Sequence, residues 1–331
     1  MAKRVDELDF LKCVFIVLMV ALHLIYIGDR YPYAKQLVYT FHIPAFLLIS
    51  GYLVNLAKPV REFLRTWWWI LVPYAVMESG YVVMSAVLPV RDGIDTLDGP
   101  TFFNKLILHP LGPYWYLHTL MVGSLCAYGV KWAGRYSCLS DTYRQLLLLS
   151  ALFALVSVVF HLAAPSSLFY YGGGIALRWS GLRFTGFFRG SWWSLPVLAL
   201  LAGCPAHLDR FTLAGVAITY LAISVGLALF RSLPPKISRY GLLIGRNTFV
   251  IFVFSPIFTL LSRGMVPWFR FEPTGMLFLA VALCFVLTGC LGMAGWMDKC
   301  HISRYFWGKA RMLQGLSETG PYPASEQKQN N

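Results

Sequence analysis

The chain is 331 residues long, 57% hydrophobic, 16% aromatic and only 13% charged, and its 28 basic and 15 acidic residues give a formal net charge of +13. Soluble domains carry about 25% charge, and so few charges cannot cover a water-exposed surface of this size. These figures exclude a cytosolic globular enzyme, a disordered chain and a disulfide mini-protein. They fit a membrane protein whose basic excess lies in cytoplasmic loops rather than a partner of nucleic acid.

Long tracts without charge mark the elements. A helix needs about 20 mostly apolar residues to cross the hydrocarbon core. Ten transmembrane spans are predicted, at about 10–28, 37–56, 66–89, 114–130, 145–163, 171–189, 191–207, 211–231, 247–263 and 275–297. The first is short, but Asp9 and Lys12 can snorkel at its end. It is followed by nine more spans, so it reads as a retained helix and not a cleaved signal. The tract 145–177 is too long for one span and breaks at Pro165-Ser166-Ser167. Its second piece runs on to Arg189 and carries Arg178 and Arg183 inside the membrane. The expected fold is therefore all-α and polytopic, with a membrane domain over 1–312 and a polar, disordered tail over 313–331.

Orientation follows from the loops. With the N-terminus in the cytoplasm, 19 basic residues fall in cytoplasmic segments and 7 outside, namely Arg30, Lys35, Arg91, Lys105, Arg210, Arg263 and Arg270. That bias predicts that both termini are cytoplasmic. The seven cysteines are odd in number and form no C-x-x-C pair, so neither a disulfide framework nor a metal site is expected.

Ionisable groups inside a membrane are costly and are functional candidates by default. Lys12 and His23 are eleven residues apart, which on a helix is about 20° off one face with about 16 Å of rise. Asp9, three residues before Lys12, shares that stripe. A neutral imidazole at the position of His23 could take a proton from a hydroxyl, or it could simply bond to a neighbouring helix. In the second span Pro44 should start or kink the helix. Ser50-Gly51 should let another helix approach closely, and His42 either packs or meets solvent. Arg61 and Arg65 form an i,i+4 pair before Trp67-Trp68-Trp69. They either snorkel at the interface or form a cationic mouth for a phosphorylated ligand. Arg178 and Arg189 should share a helix face and either line an aqueous cavity or pair with Glu78. Trp115, within Gly112-Pro113-Tyr114-Trp115-Tyr116-Leu117, suits an interfacial anchor or a platform for a sugar ring. Arg246-Asn247-Thr248 reads as a polar entry to an apolar helix, with Asn247 as its N-cap.

Taken in order, these segments resemble the acyltransferase-3 family of integral membrane acyltransferases, which O-acylate bacterial glycans and other acceptors. Asp9-x-x-Lys12-x10-His23 stands where that family has D-x-x-R-x10-H. Phe41-His42-Ile43-Pro44 through Ser50-Gly51-Tyr52 is similar to F-H-M-P…F-x-x-S-G-Y. Arg61, Arg65 and Leu71-Val72-Pro73-Tyr74 follow its basic stretch and L-I-P-Y, and Gly112 to Leu117 follows G-x-x-W-F-L. Ile244-Gly245-Arg246-Asn247-Thr248 resembles the late L-G-x-N-T. Lys12, Trp68 and Ser255 depart from it, standing where relatives carry Arg, Arg and His. The resemblance implies a multi-pass enzyme of the bacterial inner (plasma) membrane. It implies transfer of an acyl group, acetyl before succinyl, from cytoplasmic acyl-CoA to a hydroxyl of a surface polysaccharide or its lipid-linked precursor. It also implies His23 as general base with Asp9 orienting Lys12. The donor would be held by Lys12, Arg65, Arg61, Arg178 and Arg189, and the acceptor side or its packing would involve His42, Ser50, Glu78, Trp115 and Asn247. No metal and no nucleic acid enters this scheme. The competing class is a transporter or flippase for a lipid-linked glycan, since intramembrane Arg, Glu and His also suit a polar substrate path.

Overall fold

The computed structural model describes residues 5–87, 93–94, 96–134 and 141–315, and no strand occurs among them. Among the described residues, six helices are long and apolar enough to cross a membrane. They are α3 (Pro32–Leu53), α4 (Val60–Val87), α7 with its π-helical extension (Thr142–Val159), α11 (Leu213–Ser232), α13 with a 3-10 extension (Thr248–Phe269) and α14 (Met276–Lys299). Burial and hydropathy are inverted at the two extremes, although α11 is both strongly apolar and half buried. Helix α14 is the most apolar and the least buried, whereas α3 is the least apolar and the most buried. That inversion is what a hydrocarbon solvent selects, because outward faces must be apolar and polar groups are kept inside.

The first span differs from these. Helix α1 (Asp6–His23) carries Asp6, Glu7, Asp9 and Lys12, yet it lies in the core, where Leu11, Phe15, Ile16 and Val20 are fully buried. It packs against α3, α11, α13, α14 and the amphipathic α12 (Pro235–Arg246). The helix ends at His23 because Leu24 turns to an extended backbone, φ −63° and ψ 106°, before the short α2 (Ile25–Arg30). The expected span at 10–28 is thus a helix, a break and a second short helix.

Two other expected spans are not continuous helices. Pro165 opens α8 (Pro165–Trp179) at the break read from sequence, but the helix stops well before Arg189. Gly181 takes φ +71°, a left-handed conformation that closes a helix, and only the single turn α9 (Phe184–Phe187) follows. The span expected at 191–207 is the nine-residue α10 (Ser194–Ala202), about 14 Å long and too short to cross alone. Helix α5 (Gly99–Ile107) is a short amphipathic segment with no buried residue, and α6 (Trp115–Ala133) covers the fourth expected span without being one of the six.

Small residues set the closest helix contacts. A Cβ on Gly51 of α3 would strike the Tyr171 carbonyl of α8, and one on Gly174 of α8 would strike the Leu48 carbonyl of α3. The approach expected at Ser50-Gly51 is therefore made by α8. Pro44 lies inside α3 and does not start it. At the C-terminal end, the Asp298 carboxylate accepts from the Met312 and Leu313 amides at 2.9 and 3.0 Å. Residues 312–314 are therefore tied to the bundle, so the expected tail at 313 begins ordered, and residues 316–331 lie outside the described residues.

Candidate active site

One end of α1 holds a buried cluster of charges. Lys12 Nζ lies 2.7 Å from Asp9, and Arg246 at the end of α12 lies 3.1 Å from Asp6 and 3.6 Å from Asp9. Two cations therefore meet two carboxylates. The balance is what allows them to be buried, because an unpaired charge in low dielectric costs several kcal/mol. Gly245 makes the meeting possible: any side chain there would collide with the backbone at Asp9.

His23 stands at the other end of the same helix. Its Nδ1 is 2.8 Å from the Met19 carbonyl oxygen. A ring nitrogen facing a carbonyl must carry the proton, so the neutral ring keeps its lone pair on Nε2. The Tyr39 hydroxyl lies 3.4 Å from Nε2 and 3.3 Å from Nδ1, and the two rings pack with centroids 5.4 Å apart. His42 is anchored likewise, with Nδ1 2.7 Å from the Val38 carbonyl oxygen and its ring 5.1 Å from that of Tyr39.

Two cavities meet at His23. One, of about 280 Å3, runs along α1 toward the charge cluster and is lined by Lys12, Arg246, Phe46, Ser50, Tyr116 and Phe252 among others. The other, of about 290 Å3, opens the opposite way past Lys35, Tyr81, Ser255, Thr259 and Arg263. Met19, His23, Tyr39, Pro113 and Trp115 belong to both walls. His23 and Trp115 thus form a neck between two compartments. Ser50 bonds to the Tyr116 hydroxyl at 2.9 Å on the wall of the first cavity, and His42 lines that cavity too.

The remaining sequence candidates lie elsewhere. Arg61 and Arg65 are exposed on the first turns of α4, at the same end of the bundle as Asp9, and line neither cavity. Arg178 and Arg189 do not share a helix face, because α8 ends between them. Arg178 is exposed with its guanidinium 5.4 Å from the centre of the Tyr52 ring, and Arg189 is exposed near α10. Neither pairs with Glu78. That carboxylate is fully buried and accepts the Leu111 amide at 2.5 Å, fixing the loop that presents Gly112, Pro113 and Trp115 to the neck. Asn247 stands at the start of α13 but does not cap it. Its amide donates to the Leu243 and Gln314 carbonyls at 2.8 and 3.0 Å, and its oxygen accepts from the Gln314 amide at 2.9 Å.

The residues at the site to which sequence reasoning gave no role there are Arg246, Tyr39, Lys35 and Arg263. Arg246 had a signal in the sequence: it is a charged residue next to a glycine at an apolar helix boundary. Asp6 and Asp9 also offer more carboxylates than Lys12 alone can balance. Tyr39 had none beyond its aromatic type.

Neither the comparison with curated proteins nor that with solved structures gave a significant match. The family model of acyltransferase-3, described as an acyltransferase domain, matches residues 5–295. That span takes in the helices of the charge cluster, the neck and both cavities, so this chain belongs to the acyltransferase-3 family and is a membrane acyltransferase.

Proposed function

We propose that the protein is an O-acyltransferase that moves an acyl group, acetyl in the simplest case, from cytoplasmic acyl-CoA to a hydroxyl of a surface polysaccharide or its lipid-linked precursor. The observation that carries this reading is His23 at the neck, with its Nε2 lone pair beside the Tyr39 hydroxyl and a compartment on each side. An enzyme that joins a donor from one face of a membrane to an acceptor from the other needs one base that both can reach. In this reading the bundle crosses a bacterial inner membrane ten times, with some crossings completed by short or broken helices, and the Asp9 end faces the cytoplasm.

The donor enters along the first cavity. The rise from Lys12 to His23, about 16 Å on a helix, suits an extended pantetheine arm with its thioester at the neck. Lys12 and Arg246, held by Asp9 and Asp6, line its path, while the exposed Arg61, Arg65, Arg178 and Arg189 are available to the phosphates outside. The acceptor hydroxyl comes from the second cavity. His23 Nε2 takes its proton as the oxygen attacks the thioester carbonyl. The tetrahedral intermediate collapses with cleavage of the carbon–sulfur bond, and the departing thiolate recovers the proton from the imidazolium. Trp115 at the neck offers a face for the sugar ring, and His42 and Ser50 shape the donor side.

The test is mass spectrometry of surface glycans from cells with and without the protein. An adduct of acetyl or succinyl mass that requires the protein supports the reading and identifies the acyl group. Glycan translocation with no CoA-dependent transfer would overturn it in favour of a transporter.

A further inference from the structure

We infer that the acceptor bears a negatively charged group, a carboxylate on the glycan or a phosphate of its lipid carrier, and that Lys35 and Arg263 hold it beside His23. This rests on the transferase reading above and names the substrate class of its second cavity.

The two compartments differ in how their cations are satisfied. On the donor side, Lys12 and Arg246 are matched by Asp9 and Asp6 within 3.6 Å or less. On the acceptor side, Lys35 and Arg263 line the wall and, among the described residues, no acidic residue does. The ion pair of Lys35 is with Asp29, at 3.9 Å, and the Asp29 side chain is 70% exposed, so water screens that pair and leaves it weak; the Lys35 ammonium also lies 6.0 Å from the centre of the Tyr39 ring. Arg263 is exposed at the end of α13 and has no ion pair among the described residues. The uncompensated positive charge of the site is therefore on the acceptor side.

The surroundings extend that charge. The acceptor cavity shares Gly112 and Trp115 with a neighbouring space of about 480 Å3 that holds Lys105 and Arg210. It shares Lys35 and Tyr39 with an open groove of about 820 Å3 that again reaches Arg210, with Asp29 and Asp209 as its acids. Among the described residues, four cations thus face two carboxylates along one connected tract. With the His23 end outward, those four are among only seven basic residues in the outer segments. Insertion disfavours Lys and Arg on that side, so their convergence on one set of cavities calls for a ligand, and an anion satisfies them. Trp115 in the same wall offers a face for a sugar ring, so the tract matches an acidic saccharide better than a bare ion.

The experiment uses the full-length protein in lipid nanodiscs and reads binding and transfer separately. One arm compares a galacturonic acid trisaccharide with its galactose counterpart. The other compares a prenyl-diphosphate-linked galactose with the same prenyl galactoside lacking phosphate. In at least one arm the charged member is expected to bind about tenfold more tightly, the range of one charge-assisted contact. The arm that shows the difference identifies the carboxylate or the phosphate as the source. Lys35→Gln and Arg263→Gln are each expected to erase most of that preference while leaving the neutral member's affinity and the KM for acetyl-CoA unchanged. Arg270→Gln, on the same face but lining none of these cavities, should keep the preference intact. Equal affinity for charged and neutral members in both arms overturns the inference, as does a preference that survives in both the Lys35 and the Arg263 variants. A charge preference in binding without label transfer from acetyl-CoA or succinyl-CoA would instead sink the transferase reading and leave an anion-binding cavity.

Discussion

Asp9 is the shared partner of two cations, one buried and one half-buried, and its removal has a calculable consequence. Its side chain is 5% exposed, that of Arg246 6%, that of Lys12 20% and that of Asp6 31%. At 3.6 Å and an effective dielectric of 20, the attraction between Arg246 and Asp9 is about 4–5 kcal/mol before desolvation is counted. Truncating one partner of such a buried pair costs about 3–5 kcal/mol, because the other charge is left in low dielectric. Asp9→Ala should therefore lower the stability of the detergent-solubilised protein by about 3–5 kcal/mol. Asp6→Ala should cost under about 1 kcal/mol, because Asp6 is partly solvated and leaves Arg246 its contact with Asp9. Replacing both Asp9 and Lys12 by apolar residues, as in Asp9→Leu with Lys12→Met, leaves Arg246 balanced by Asp6. That double variant should recover at least about 2 kcal/mol of the loss. Thermal unfolding followed by tryptophan fluorescence, with Asp9→Leu, Lys12→Met and their double variant arranged as a double-mutant cycle, measures the coupling. Additive single effects, or an Asp6→Ala loss equal to that of Asp9→Ala, would refute the reasoning.

Other outcomes follow from single contacts. Gly174→Val should cost about 3 kcal/mol or more, since its side chain meets the Leu48 backbone. Gly80→Ala, with no atom within 4 Å of the new Cβ, should gain about 0.5–1 kcal/mol, and the two melting temperatures compared side by side check both. Glu78→Ala strands the buried Leu111 amide at a cost of about 1–3 kcal/mol, whereas Glu78→Gln keeps an acceptor there. Transfer activity should therefore fall in the alanine variant and be largely retained in the glutamine variant, and equal loss in both would contradict a positioning role. Tyr39→Phe removes the hydroxyl beside His23 and should lower kcat by about 2- to 10-fold with the acetyl-CoA KM unchanged; a steady-state assay reads both. Asn247→Ala frees the Gln314 backbone, so limited proteolysis should cut near 314 faster than in the parent protein, and an unchanged rate would count against that tie.

Much of the fold was legible because the bilayer imposes a length and a polarity on its helices. Apolar tracts at 37–56, 211–231 and 275–297 became α3, α11 and α14. What escaped was irregular backbone inside protein. The break at Leu24 and the stop at Gly181 leave the hydropathy of their segments unchanged, so a composition scan reads straight through them. The site divided along the same line. Asp9, Lys12 and His23 share one helix, so their spacing alone aligns them. Arg246 meets Asp6 across 240 residues of sequence, and no local period joins residues that far apart. Arg178 and Arg189 were aligned by assuming a helix that Gly181 ends. Lys35 and Arg263 were counted among outward charges, but only the folded chain brings them to one cavity.

The most direct test of the central claim is label transfer from radiolabelled acetyl-CoA to surface glycan by purified protein carrying His23→Gln, alongside the parent and a matched measurement of acetyl-CoA binding. Loss of the general base should lower kcat by about 100- to 10,000-fold while the protein remains folded and binds acetyl-CoA as before. Transfer at the parent rate by a well-folded His23→Gln protein would contradict it.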